Sequence, residues 1–174
     1  MNRMGRRGNI LAGAMARLPA LLIVASLALL PPRLAQAADF PAGHLSFDLP
    51  AQWSAEGKRS KLDLVSPGED AFIVLQVLEP GDENFLRAQT ARVLSEYLAD
   101  LNLADAGRKD SLGGMKAIRL KGTGSSDATS VSFQAAIVSP PGNAPVLVLA
   151  YTTMVNFAAA QPLFDAFFAS LKPR

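Results

Sequence analysis

Residues 71–78, AFIVLQVL, are apolar at every position but Gln76, and residues 145–151, PVLVLAY, are apolar throughout. Both are rich in β-branched and aromatic side chains, which favour extended backbone over helix. A strand that is apolar on both faces must be covered on both faces. These two segments therefore predict a sheet sandwiched between other layers.

The stretches around them supply the rest. Residues 44–49 alternate, with Leu45, Phe47 and Leu49 on one side and His44, Ser46 and Asp48 on the other. This is the pattern of a half-buried strand, which Pro50 ends. Trp53 falls in a short second extended piece. Residues 61–66 alternate again and run into a turn, Ser66-Pro67-Gly68-Glu69-Asp70. After the loop 79–84, Asp82 is placed to cap a helix over 83–101. Leu86, Thr90, Val93, Leu94, Tyr97, Leu98 and Leu101 form its apolar stripe. From Ala104 the strand pattern returns, with turns expected at Gly113-Gly114, at Gly122 to Asp127 (GTGSSD) and at Pro140 to Asn143. Residues 104–152 read as an antiparallel meander. A second helix is expected at 161–171 after a looser lead-in, with Pro162 in its first turn and Phe157, Phe164, Phe168 and Leu171 on one stripe. The order β-β-β-β-α-β-β-β-β-α makes an α+β domain, a mostly antiparallel sheet flanked by helices.

Residues 1–37 stand apart. Arg3, Arg6, Arg7 and Arg17 precede an apolar run from Leu18 to Leu30; Pro31-Pro32 then break the chain before a small-x-small site, Ala35-Gln36-Ala37. That is the pattern of a cleavable signal peptide. The reading is residues 1–37 as a leader and 38–174 as one domain, exported to the periplasm. An uncleaved anchor would need about 20 apolar residues, and 10–30 reach that only by including Arg17 and Pro19. Arg6-Arg7 also resembles a twin-arginine signal, so Sec and Tat export both stay open.

Five of the 17 basic residues (Arg3, Arg6, Arg7, Arg17, Arg33) lie in the leader and no acidic ones do, leaving 12 basic against 15 acidic residues after it. Nucleic acid is not an expected partner of a folded part with that balance. With no cysteine, disulfides, thiolate metal sites, cysteine nucleophiles and acyl-cysteine anchors are excluded.

Phe47-Asp48-Leu49-Pro50 followed by Gln52-Trp53, Ser66-Pro67-Gly68 running into the apolar strand, Leu112-Gly113-Gly114-Met115, and the ending FDAFFASLK (164–172) together resemble the PsbP/Mog-type domain family. The resemblance implies an α/β/α sandwich and a non-catalytic accessory or binding module. It carries over no active-site residue and no cofactor.

Among chemistry-bearing residues, His44 is the single histidine, and no serine sits in a nucleophile elbow. It is read as an exposed edge residue, and no zinc site is expected. GTGSSD lacks the Gly-Lys ending of a phosphate loop and joins two expected strands. Glu79, Asp82 and Glu83, and likewise Glu69 and Asp70, gather oxygens near turns but match no calcium loop; capping explains Asp82 and Glu83. Trp53 and Tyr151 are read as core. Arg119 and Lys121 share a strand face and are the candidate partner-binding pair; no catalytic, cofactor or metal residue is assigned. The expected function is an exported accessory protein binding another envelope protein. A carrier with an apolar pocket between sheet and helix is the alternative, and a carboxylate hydrolase comes last.

Overall fold

A computed structural model describes residues 36–105 and 107–174. The leader expected at 1–37 lies outside the described residues except for Gln36 and Ala37.

The chain runs β1 (Gln36–Phe40), a single 3-10 turn, β2 (Leu45–Leu49), β3 (Ser54–Lys58), β4 (Lys61–Val65), β5 (Ala71–Val77), α1 (Glu83–Tyr97), β6 (Ala99–Leu103), β7 (Arg108–Leu112), β8 (Met115–Ser126), β9 (Thr129–Ser139), β10 (Val146–Thr153), α2 (Met154–Ser170) and β11 (Lys172–Pro173). Eight strands form one antiparallel sheet in the order β3-β4-β5-β10-β9-β8-β6, with β7 also on β8. A small second sheet, β1-β2-β11, gathers both ends of the described chain.

The two apolar stretches are the centre of this architecture. β5 pairs with β10 from Ala71–Thr152 to Val77–Val146, and β10 has its other edge on β9. Alternation splits the core in two. Ile73, Leu75, Val146, Val148, Ala136 and Val138 face Phe164, Phe167 and Phe168 of α2 and Phe47 of β2. Val74, Leu147, Leu149, Phe133, Ala135 and Ile137 face Leu86, Val93, Leu94 and Leu98 on the α1 side. The chain is thus an α+β sandwich with its sheet covered on both faces. Burying a side chain the size of Phe164 or Phe168 contributes roughly 2–3 kcal/mol each.

Helix α1 starts where Asp82 Oδ1 accepts from the Phe85 amide at 2.9 Å. It ends at Tyr97, four residues before the expected boundary, because 99–103 peels off to pair with β8. Leu98 and Leu101 fit the helical stripe by spacing, yet pairing the open edge of β8 satisfies more backbone groups than one further turn of helix would. Helix α2 starts at Met154, seven residues earlier than expected, capped by the Thr153 hydroxyl. Pro162 therefore lies in the middle of the helix, at an exposed position, and not in its first turn.

The expected loop at Gly122 to Asp127 is another correction. Residues 115–126 are one continuous strand, and the chain reverses at Asp127 and Ala128, both with positive φ (48° and 62°). The two glycines serve a close approach: a β-carbon on Gly122 would overlap the Asn102 carbonyl, and one on Gly124 would lie 2.9 Å from the Ala99 carbonyl. Glycine inside a strand marks such an approach as often as it marks a turn.

Candidate functional site

On the α2 side, the wall built by β8 and β9 changes character halfway along. Met115 and Ala117 on β8, and Val138 and Ala136 on β9, are buried among the phenylalanines of α2. Beyond them, the same face carries Arg119, Lys121 and Thr123, with Gln134 and Ser132 directly opposite Lys121 and Thr123. Period-two alternation turns these side chains toward α2. Facing them from the helix are Phe157, Gln161, Asp165 and Phe168, spaced by four, four and three residues and so on one side. Asn102, Ala104, Asp105 and Arg108 close one end. The cleft measures about 670 Å³.

Arg119 is tied down within it. Its guanidinium lies 5.6 Å from the centre of the Phe168 ring, and its Nε is 2.8 Å from Asp110 Oδ2, although the Nε–H is not directed at the oxygen. Arg108 approaches the same carboxylate at 3.7 Å. The Ser111 amide, donating at 2.8 Å, holds the Asp110 carboxyl below its ordinary range, and the attraction of Arg119 and Arg108 adds to it. Lys121 is exposed and, among the described residues, makes no ion pair. Asn102, Thr123, Ser132, Gln134, Gln161 and Asp165 likewise have no side-chain hydrogen bond to another described residue.

The structure thus brings Arg119 and Lys121 to one wall, the first held by Asp110 and the second open. Sequence reasoning misses Gln134, Gln161 and Asp165, and assigns Phe157 to the apolar stripe and not to the cleft. Gln134 was legible as the outward position in the alternation Val131, Phe133, Ala135, Ile137. Gln161 and Asp165 lie inside the expected helix 161–171, but helical spacing does not say that they face a cleft; Phe157 lies outside that span.

The other singled-out residues have structural surroundings. His44 is exposed, adopts φ 50° after the 3-10 turn, and accepts the Arg174 amide on its carbonyl. Asp70 Oδ1 accepts from the Ser66 hydroxyl, and Glu83 pairs with Arg87 and Lys109. Trp53 and Tyr151 are both buried, in opposite halves of the core. Burial pushes the Tyr151 phenol up to about 12. Beside it, a smaller hollow of about 310 Å³ lies next to Lys61, whose ammonium is 2.9 Å from Asp63 and 4.8 Å from the centre of the Tyr97 ring. Among the described residues no helix is long and apolar enough to cross a membrane.

Solved structures repeat this layering. Cyanobacterial PsbP (CyanoP) from Synechocystis sp. PCC 6803 matches over 81% of this chain and 93% of its own, with a TM-score of 0.62 and 13% identity. The Ran-binding protein Mog1p of Saccharomyces cerevisiae matches over 80% and 95%, with a TM-score of 0.55 and 10% identity. The fold is that of PsbP and Mog1. LpqN, involved in cell envelope biogenesis of Mycobacterium tuberculosis, also has the PsbP/Mog1 fold, over 79% of this chain and 84% of its own, with a TM-score of 0.52 and 15% identity. No family model and no curated protein matches the sequence. At such identities the likeness establishes the PsbP/Mog1 fold and nothing of the chemistry in the cleft.

Proposed function

We propose that this protein is an exported accessory protein of the bacterial envelope that acts by binding, with the cleft between α2 and β8–β9 as its binding site. One observation carries the reading: a concave surface gathers polar side chains that the fold itself leaves without partners. Side chains that hold a fold together find their partners inside it; these project into open space. Two neighbours in fold agree with this reading, since Mog1p binds Ran and LpqN is involved in cell envelope biogenesis. The leader at 1–37 supplies the periplasmic address, and the first residue of protein recovered from the periplasm should be Ala38.

The test is mild cross-linking in an envelope extract, comparing the wild type with a Lys121→Glu, Gln161→Ala double variant. A specific cross-linked species that disappears with the variant is expected. A pattern identical in both proteins would remove the cleft from the function.

The cleft also favours a second reading, a small-molecule carrier, because its volume lies within the range of ligand pockets and Phe157 and Phe168 give it an apolar side. Native mass spectrometry of protein purified from its host distinguishes them. A carrier retains a bound mass; a partner-binding module does not.

A further inference from the structure

We infer that the cleft takes a neutral, hydroxyl-rich ligand, a glycan of a few sugar rings held by amide and hydroxyl side chains. This rests on the cleft being the binding site and names what occupies it.

The charges come first. Arg108 and Arg119 are both engaged by Asp110. The remaining cation of the lining, Lys121, shares the cleft with Asp105 and Asp165. Three cations, Arg108, Arg119 and Lys121, thus stand against three carboxylates, Asp105, Asp110 and Asp165. The lining therefore selects neither sign.

Hydrogen-bonding capacity is what it has in excess. Asn102, Gln134 and Gln161 each present an amide that donates and accepts, and Thr123 and Ser132 each present a hydroxyl that does the same. A sugar hydroxyl is likewise both donor and acceptor, so each such side chain can match it in either direction. Phe157, half-buried at the helix wall, supplies a flat apolar surface for the C–H face of a ring. A fatty or otherwise apolar ligand would instead bury these five groups unpaired, at a cost in affinity.

A peptide added as an extra strand fits less well. β8 is paired along one edge with β9 and along the other with β6 and β7, and β9 lies between β8 and β10. The cleft walls therefore offer side chains and no free row of backbone amides and carbonyls, which strand addition requires. The cleft volume of about 670 Å³ accommodates a short oligosaccharide.

The experiment is an NMR titration of isotope-labelled protein, in the form its host produces, with cellotetraose, maltotetraose and chitotetraose. A heparin fragment and an uncharged, polar, capped tetrapeptide serve as the competing chemistries. At least one neutral glycan should shift amide signals clustered at 119–123, 132–135 and 157–165. Gln134→Ala combined with Gln161→Ala should weaken that binding about tenfold or more, as loss of two hydrogen bonds implies. Both positions are at least partly exposed, so the double variant should keep the wild-type melting temperature. The inference is overturned if no neutral glycan shifts these signals, if only heparin or the peptide does, or if the double variant binds as well as the wild type. Peptide binding alone would sink the glycan and leave the accessory role standing. Glycan binding without any cleft-dependent cross-link would uphold the ligand and sink the protein partner.

Discussion

Gly113 has φ +54°, and a β-carbon placed there would collide with the Leu171 carbonyl. Its neighbour Gly114 has φ +80° with open space around it. The two positions separate conformational strain from steric overlap. Gly114→Ala should cost about 1 kcal/mol, the penalty for a side chain in the left-handed region. Gly113→Ala must also push away the end of α2 and should cost at least about 2 kcal/mol more. Urea unfolding of the two variants measures the difference, and equal costs would show that the hairpin does not rest on the helix end. The two tyrosines give a second residue-level expectation. Burial raises both phenols, Tyr151 to about 12. In the unfolded chain they ionise near about 10. The folded state therefore loses stability as pH rises from that value through the raised ones. Phenolate absorbance should stay low past the ordinary range until the protein opens. Sequence alone identified Trp53 and Tyr151 as core and paired Arg119 with Lys121 on one face, because alternation fixes direction. It could not foresee that Asp110, on a different strand, would take up Arg119 and leave Lys121 as the open cation.

At the scale of elements, Pro162 is the outlier. It sits in the middle of α2, where it cannot donate to the carbonyl of Ala158. The position is exposed, so nothing in the core demands the ring. Pro162→Ala should raise stability by about 1–3 kcal/mol, read as a higher denaturant midpoint at unchanged slope. A lower midpoint would mean that the proline shapes the helix to fit the sheet. The same residue explains why the start of α2 was misplaced from sequence. Proline is at home in a first turn, so spacing alone favours 161–171, with the preceding MVNFAAA as a lead-in. Residues 99–103 illustrate a parallel ambiguity, since Leu98 and Leu101 satisfy helical spacing while the chain is claimed by the edge of β8. The segments that were legible, 71–78 and 145–151, had no competing partner: runs so apolar belong only in the middle of a covered sheet.

For the molecule as a whole, charge on the outside of the fold governs its response to acid. Glu83 is held below the ordinary carboxylate range chiefly by Arg87 and then by Lys109, and Asp110 by the Ser111 amide and then by Arg119 and Arg108. Both folded values lie below the unfolded ones. Their contribution is therefore complete above the ordinary range and is lost as pH falls through the lowered values. Thermal melting should be level from neutral pH down to the ordinary carboxylate range and then decline. A Glu83→Gln, Asp110→Asn double variant should melt lower at neutral pH and show a shallower acid decline. A parallel decline would place the acid sensitivity elsewhere.

Both ends of the described residues are strands of one small sheet. β1 and β11 flank β2, with Asp39 3.2 Å from the Arg174 guanidinium. β1 begins opposite Leu49 and β11 ends opposite Leu45, so the two ends are two strand spacings apart, about 10 Å, and about 13 Å apart along the strands, a gap that a bridge of about eight residues crosses easily. A chain cut to these residues could thus have β1 and β11 spliced into a circle. The circle could be reopened at the exposed hairpin tip Asp127–Ala128, giving a permuted chain with the same layers in a different order of synthesis.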